Sequence, residues 1–475
     1  MPAWPLTTTD RHADQRRRPR RGRWAAAGLA VMLGAASVGV AVQQQRPEPP
    51  ALDLAAAKPN PVTPGNFTGY GFDQCDAPSQ AKMDRWLQHS PFLAVGIYIS
   101  GDSRACKAQP NLTATWVRRQ LAGGWRLLPI TLGPQSTCVG RFPRYGKNID
   151  PTISNSSTSR YYKARVQGRD TAIAAVKRAR ALGIAKGSTL FYDLEGWSNY
   201  TNATCRESAL NFLSAWTNRI NDLGYVSGVY SSAGSGLRIL DDARAQGRAN
   251  IALPRQVWIA RWDGKANTSA PGYVSDAGWK RNRLKQYQGG HNETWGKVTI
   301  NIDRNYLDLG NSTPRAHPHC GGVHIDLSRY LVVKPPTAGY TPGAGQVRAI
   351  QCLLKERNLY TGPLNGKYTA ATQKAVKAWQ RKLGLPENTR WQTGHWMIIL
   401  SGGMRPVQKV GSRGEYVRRM QRALRAAMPE RGIATNGIYN TTMRAHVRAY
   451  RTSIGMVPDG IGNATVWRKL QTAVR

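Results

Sequence analysis

Between residues 66 and 313 the chain alternates between two periodicities. Short apolar runs at 69–72, 92–99, 125–132, 189–193 and 225–230 read as strands. After each of them apolar residues recur at helical spacing, near 78–89, 111–122, 165–183, 206–223 and 236–246. Gly183 and Gly224 stand where helix C-caps belong. After 246 the helical spacing stops, and three more strand runs, at 257–260, 284–287 and 298–303, are joined by Gly, Asn and Ser loops. Strand–helix alternation predicts a parallel sheet. Eight strands in 248 residues predict closure into a TIM-like α/β barrel, with its chemistry at the C-terminal strand ends.

Residues 314–343 break the pattern with Pro314, Pro318, Pro335, Pro336 and Pro342, and read mostly as a linker. Beyond them the chain repeats itself. N-G-K-Y-T at 365–369 returns as N-G-I-Y-N at 436–440, an offset of 71 that also maps Val376, Trp379, Gly384 and Trp396 onto Val447, Tyr450, Gly455 and Trp467. Upstream, Gln351 and Leu354 map onto Gln421 and Leu424 at an offset of 70. Each unit reads helix, Asn-Gly turn, helix, loop, short helix. The expected domains are therefore a segment at 1–65, a barrel at 66–313, a linker at 314–343 and two small all-α modules at 344–402 and 406–475. Neither module gathers acids, His or Cys that could do chemistry, so both read as binding modules.

The first segment carries an address. Arg16, Arg17, Arg18, Arg20, Arg21 and Arg23 precede an apolar run at 24–42, which a Gln- and Pro-rich stretch follows. Charge, apolar run and polar linker in that order form an export signal. Nineteen apolar residues are also long enough to span a bilayer, so an uncleaved anchor is the alternative. Either way the rest of the chain is expected outside the cytoplasm, secreted or associated with the cell wall. Six cysteines, Cys75, Cys106, Cys138, Cys205, Cys320 and Cys352, fit such a place as disulfides. Four of them follow successive strands and should gather at one end of the barrel.

Charge narrows the partners. The chain has 67 basic and 27 acidic residues, and 321–475 alone carries 25 against 6. Such a field concentrates polyanions. Nucleic acid is not expected, because no nucleic-acid module is recognisable and the cations are scattered rather than set in one stripe. An acidic wall polymer remains, as does the plainer reading of a solvated Arg-rich surface. Membrane contact is expected only through the N-terminal segment, and the protein is expected to be a monomer.

In so basic a chain, acids that recur at strand ends stand out. F-Y-D-L-E-G-W at 191–197 holds two at alternate positions, Asp193 and Glu195. On a strand, residues i and i+2 share a face about 6–7 Å apart. Burying either carboxylate costs several kcal/mol. Asp73 closes the first strand run and Asp303 the last, while Asp263 follows the sixth. Paired acids whose environments split their pKa values are what glycosidic bond cleavage needs. Two solvated acids on an edge strand are the bland alternative. Tyr192, Trp197, Trp258, Trp262 and Tyr287 are candidates for stacking on sugar faces or for plain core packing. His317, His319, Cys320 and His324 crowd into H-P-H-C-G-G-V-H, yet no metal-motif spacing matches. No metal or cofactor is expected. A serine hydrolase is not expected, because G-x-S-x-G does not occur.

Two resemblances sharpen this picture. V-R-A-I-Q-C-L-L, G-P-L-N-G-K-Y-T-A-A-T-Q-K-A-V-K-A-W-Q and T-G-H-W resemble the peptidoglycan-binding helical domain of bacterial wall hydrolases, with Asn365 where that family usually has Asp. The second unit is more divergent, with Arg451 in place of the Gln that follows the aromatic. G-F-D-Q-C-D-A-P-S, Y-D-L-E, G-V-Y-S-S, W-I-A-R-W-D-G and Q-Y-Q-G-G-H-N-E-T-W-G-K-V-T-I-N-I-D-R-N-Y resemble the glycoside hydrolase-like domain of secreted actinobacterial wall proteins, domain of unknown function family 1906. That domain is similar to the family 25 glycoside hydrolase lysozymes, barrels of five β/α units plus three strands. The resemblance implies Asp73, Asp193, Glu195 and Asp303 as active-site acids, and a wall-glycan site that includes Arg261 and Gln286. It implies an exported, muramidase-type hydrolase acting on peptidoglycan, with Glu195 as general acid. The rivals are a wall-glycan-binding protein that does not cut, and a wall amidase or peptidase, which would need zinc ligands or a Cys/His pair.

Overall fold

The computed structural model describes residues 59–140, 148–310 and 313–475. The expected export or anchor segment at 24–42 lies outside them. Among the described residues no helix is long and apolar enough to cross a membrane.

Eight strands close a barrel in sequence order: β1 (Thr68–Asp73), β2 (Ala94–Ser100), β3 (Arg126–Thr131), β4 (Thr189–Leu194), β5 (Val226–Ser232), β6 (Gln256–Ala260), β7 (Arg283–Trp295) and β8 (Val298–Asp308). The first five are each followed by a helix: α1 (Gln80–His89), α2 (Ala114–Gly123), α3 (Thr158–Ala181), α4 (Ala203–Asp222) and α5 (Gly236–Ala245). β1 to β7 pair in parallel, while β8 runs antiparallel to both β7 and β1. Strand alternation sorts the side chains. Leu190, Tyr192 and Leu194 pack between barrel and helices with Phe212 and Trp216. Phe191 faces the barrel interior with Leu128, Trp258, Leu284 and Leu307. Asp193 shares the Phe191 face and so points inward.

The structure departs from expectation at both ends of the barrel. The Q-G-G-H-N stretch, expected as a loop, pairs with β8 as far as Trp295↔Val298, and Gly296 and Lys297 turn the hairpin with φ of 59° and 65°. Asp303 therefore lies inside β8 rather than at its end. It reaches the same rim as the other acids because β8 runs the opposite way. Ahead of residue 66, Thr63 is fully buried. Its hydroxyl donates to Leu127 O at 2.8 Å, and its carbonyl accepts from the Thr189 amide at 2.9 Å, tying the entering chain to β3 and β4.

The C-terminal third is also tighter than a string of modules. α6 (Ala344–Lys355), α7 (Ala370–Lys382) and α8 (Thr393–Ser401) form the first unit; α9 (Glu415–Ala427), α10 (Thr441–Ser453) and α11 (Ala464–Gln471) form the second, and one apolar core joins them. The repeat is physical. Gln351 accepts from the Gly366 amide at 3.0 Å and donates to Lys367 O at 3.0 Å, while Gln421 accepts from the Gly437 amide at 2.8 Å and donates to Ile438 O at 3.1 Å. Each glutamine clamps its own Asn-Gly turn. Gln380 and Arg451, the divergent pair, are likewise buried loop clamps: Gln380 bonds Asn388 and Arg390 O, and Arg451 bonds Val457 O and Ile461 O.

The stretch expected as a linker contributes Ile325, Tyr330 and Val333 to this core. Its Asp326 pairs with Arg422 at 2.6 Å, and Cys320 is bonded to Cys352. Proline stiffness misled the composition argument, because apolar residues between the prolines supplied burial. The second unit in turn docks on the barrel. Lys409, 1% exposed, donates to Ser90 O at 2.8 Å and Trp86 O at 3.3 Å and lies over the Trp125 ring.

Candidate functional site

The three regions rich in acids meet at one rim. Asp73 ends β1, Asp193 is the fifth residue of β4, Glu195 lies one residue past β4, and Asp303 is the register partner of Asp73 on β8. A cleft of about 400 Å³ opens there. Asp73, Glu195, Asp303, Tyr98 and Trp262 line it, with the Cys75–Cys106 disulfide on one wall and Gly290, Asn301 and Ile302 of the β7–β8 hairpin on the other. Asp193 lies beneath, with no exposed surface.

The hydrogen bonds fix which atoms face the acids. Tyr230 OH and Trp262 Nε1 both donate to Gln286 Oε1, at 2.9 and 2.8 Å. The amide nitrogen of Gln286 must then face inward, where it donates to Asp73 at 3.2 Å and to Asp303 Oδ2 at 3.1 Å. Trp258 Nε1 orients Asn305 in the same way at 2.7 Å, so that Asn305 donates to Asp73 Oδ1 at 2.6 Å. Tyr98 OH donates to Asp193 Oδ2 at 3.2 Å, and the buried Asp193 Oδ1 has no hydrogen-bond partner among the described residues.

Among the described residues none of the four acids is in an ion pair. Asp263 is the contrast. It meets Lys285 at 3.0 Å and Arg261 at 3.4 Å. Burial pushes it up, but the Lys265 amide, Lys285 and Arg261 hold it below the usual carboxylate range. Arg104 also lines the cleft, but among the described residues no cation offsets the burial of the four acids. Burial pushes Asp73 up to about 6, opposed by the amides of Asn305 and Gln286. It pushes Asp303 up to about 8, with the charge of Asp73 adding to the effect. Asp193 is raised well above the ordinary value by burial and then by Glu195, and Glu195 is raised by burial. The rim can therefore hold protonated carboxyls near neutral pH beside an ionised one.

The expected sugar contacts divide. Trp262 is 50% exposed on the cleft wall. Its indole lies so close to Gly289 that a Cβ there would come within 2.1 Å of the ring. Gln286 is at the site, but its amide is already occupied by the acids and by two donors, so it holds acids rather than sugar. Tyr192 is fully buried on the helix side, against Phe212 and Trp216, and its hydroxyl bonds Pro134 O. Trp258 is fully buried under the acids, and Trp197 is core, with its indole on Asn199 O. Tyr287 is buried away from the cleft lining. Arg261 pairs with Asp263 and covers the Tyr273 ring at 4.6 Å. Burial leaves the four aromatics, Tyr192, Trp197, Trp258 and Tyr287, no sugar face to meet.

Sequence reading missed Tyr98, Gln135, Tyr230 and Asn305. Asn305 carried a signal, since it lies two residues after Asp303 on one strand face. Gln135, in an irregular loop, carried none. Three histidine and carboxylate groups, His317, His319 and Glu356, also approach one another within 4.8 Å. There His319 Nδ1 is engaged by Glu356 at 2.9 Å, and its Nε2 faces Arg422 at 3.4 Å, a cation where a metal would need an open ligand. All six cysteines are in disulfides, Cys75–Cys106, Cys138–Cys205 and Cys320–Cys352. The first two cross-link the segments that follow β1 to β4 at the acid end, Cys205 from the first turn of α4, where the four were expected to gather.

The family comparison covers most of this barrel. Residues 84–307 match the family described as Rv2525c-like, glycoside hydrolase-like domain. The barrel is thus glycoside hydrolase-like. Residues 343–389, in the first helical unit, match the peptidoglycan binding domain. No curated protein matches the chain. Among solved structures, an uncharacterized B. stearothermophilus protein is 17% identical over 50% of this chain and 95% of its own, with a TM-score of 0.31. A family 25 glycosyl hydrolase from Bacillus anthracis is 13% identical over 52% and 90%, at 0.31. The modular autolysin LytC from Streptococcus pneumoniae is 11% identical over 50% and 46%, at 0.30. The glycoside hydrolase-like barrel and the peptidoglycan-binding unit support a role at the glycan of the cell wall. The three disulfides fit an oxidising, extracytoplasmic compartment.

Proposed function

We propose that the protein binds peptidoglycan and cleaves a glycosidic bond in its glycan, as a muramidase-type hydrolase. One observation carries the reading: a chain with 67 basic and 27 acidic residues gathers three acids at one cleft and a fourth beneath it, none of them in an ion pair among the described residues. Glu195 is the general acid. It lines the cleft, burial keeps its proton on at higher pH than usual, and it donates that proton to the leaving glycosidic oxygen. Asp73, the acid held lower by amides, supplies negative charge to the developing oxocarbenium ion. Asp193, closed to solvent, acts through Glu195 and the local field rather than as a nucleophile. Trp262 offers its face to a sugar ring, and the first helical unit holds the enzyme on the wall as a monomer.

The full burial of Asp193 also favours a second reading, a barrel that retains its acids but binds wall glycan without cutting it. Digestion of purified peptidoglycan, with new reducing ends identified by mass spectrometry, separates the two. Defined reducing ends support hydrolysis. Retention on the wall with no new ends leaves the binding protein.

A further inference from the structure

We propose that Gln135 is the positioning residue of this site, holding the backbone on both sides of Leu194 so that Glu195 is presented at the cleft. The proposal rests on the hydrolase reading above.

The need for such a residue follows from where the sheet stops. β3 pairs with β4 only as far as Thr131↔Tyr192. On that side, beyond Tyr192, the ladder has no further rung, yet Asp193 O and the Glu195 amide are still turned toward it. Gln135 supplies the missing rung with its side chain. It is 1% exposed. Its Oε1 accepts from the Glu195 amide at 2.8 Å, and its Nε2 donates to Asp193 O at 2.8 Å and to Gly133 O at 3.2 Å. One carboxamide thus does what a peptide group of a longer β3 would do. On the opposite side Ser231 donates to Leu194 O, and Ser235 accepts from the Trp197 amide. The turn that carries Glu195 is held from both flanks by side chains, Gln135 from the loop after β3 on one side and Ser231 of β5 with Ser235 ahead of α5 on the other.

The Gln135 loop is itself anchored by other groups. Tyr192 OH donates to Pro134 O, the Ile153 amide donates to Gln135 O at 2.8 Å, and Cys138 is bonded to Cys205 at the start of α4. Losing the carboxamide should therefore leave the loop in place and free only the Glu195 turn. A general acid displaced by about 1 Å loses on the order of 10²-fold in rate. Substrate contacts elsewhere in the cleft are untouched.

The test compares Gln135→Met with wild type in the full chain, reading kcat and KM on peptidoglycan glycan and hydrogen exchange at the Glu195 amide. The expected result is kcat lower by roughly 10–100-fold, KM within about threefold and faster exchange at Glu195. Gln135→Glu, assayed near pH 5 where a buried carboxyl stays protonated, keeps an acceptor and a donor and should recover most of the lost kcat. It serves as the decisive variant should the methionine form fail to fold. Wild-type kcat in a folded Gln135→Met, or a loss confined to KM, overturns the proposal. If the wild type cuts no glycan, the hydrolase reading fails with it. Unchanged exchange at Glu195 in Gln135→Met would then show separately that the clamp itself is absent.

Discussion

Asp73 and Asp303 face each other as register partners on antiparallel β1 and β8, and a single amide nitrogen, that of Gln286, donates to both. Two carboxylates so placed, with no cation between them, are more easily accommodated with a proton on one. Of the two carboxylates Asn305 donates to that of Asp73, and its other bond goes to the Asp303 backbone carbonyl, which is why the proton belongs on Asp303.

This pair makes stability depend on pH. The ordinary aspartate value is 3.8; burial lifts Asp73 to about 6 and Asp303 to about 8. The folded state binds these protons more tightly than the unfolded state. Their contribution is present below about pH 4 and is lost as pH rises through 6 and then 8. The melting temperature should fall between pH 5 and 8 on this account. Asp303→Asn removes the titration and should stabilise the protein at pH 8 by on the order of 1–3 kcal/mol. Thermal unfolding of both forms across that range checks it, and parallel pH curves would refute the assignment.

Glu195→Gln keeps size and polarity and removes the transferable proton. Hydrolysis should fall by about 10²–10⁴-fold with folding intact. Asp193→Asn should also impair turnover. Asp263→Asn, at a residue paired with Lys285 and Arg261, should change the rate less. It should instead cost stability, because Lys285 is fully buried and loses its counter-charge. Rates on solubilised glycan with circular dichroism as the folding control decide between these outcomes; a folded Glu195→Gln with wild-type rate ends the role.

The docking of the second helical unit depends on one glycine. Gly411 has φ of 99°, and a Cβ there would lie 2.1 Å from Phe67 Cε2. Gly411→Val should cost at least about 1–3 kcal/mol through backbone strain and overpacking. Limited proteolysis should then cut between 402 and 415 faster than in wild type. An unchanged digestion pattern would mean that the contact tolerates the side chain.

Labelling of the denatured, unreduced protein with a thiol reagent should give little signal, since no cysteine is free. Cys138–Cys205 closes a separation of 67 residues. In the chain-entropy picture its removal as a double alanine variant costs about 4 kcal/mol. A loss below about 1 kcal/mol in chemical unfolding would contradict that estimate.

Sedimentation with insoluble peptidoglycan should retain the protein at moderate salt and lose part of it at high salt. Residues 321–475 carry 25 basic against 6 acidic groups, and screening lengths shrink from about 10 Å at 0.1 M to about 3 Å at 1 M. Retention independent of salt would assign binding to the modules' uncharged contacts alone. Absence from the pellet at every salt concentration would remove the wall-binding role.

Periodicity along the chain was enough for the eight strands, the five helices between them and the helical repeat, because each depends on local spacing that burial then enforces. D-x-E, with acids closing the first and last strand runs, was likewise legible, since carboxylates are conspicuous in so basic a chain. Tertiary structure alone decided which neighbours share a cavity. Tyr192 and Asp193 are adjacent in sequence, yet the pleat sends one to the helices and the other to the barrel interior, so an aromatic beside an acid was no guide to a sugar platform. The buried segment after 314 and the docked Lys409 depend on contacts between residues far apart in the chain, which no local pattern encodes. Gln135 is the sharpest case. Its side chain replaces a missing strand rung, and only the lengths of β3 and β4 in three dimensions show that a rung is missing.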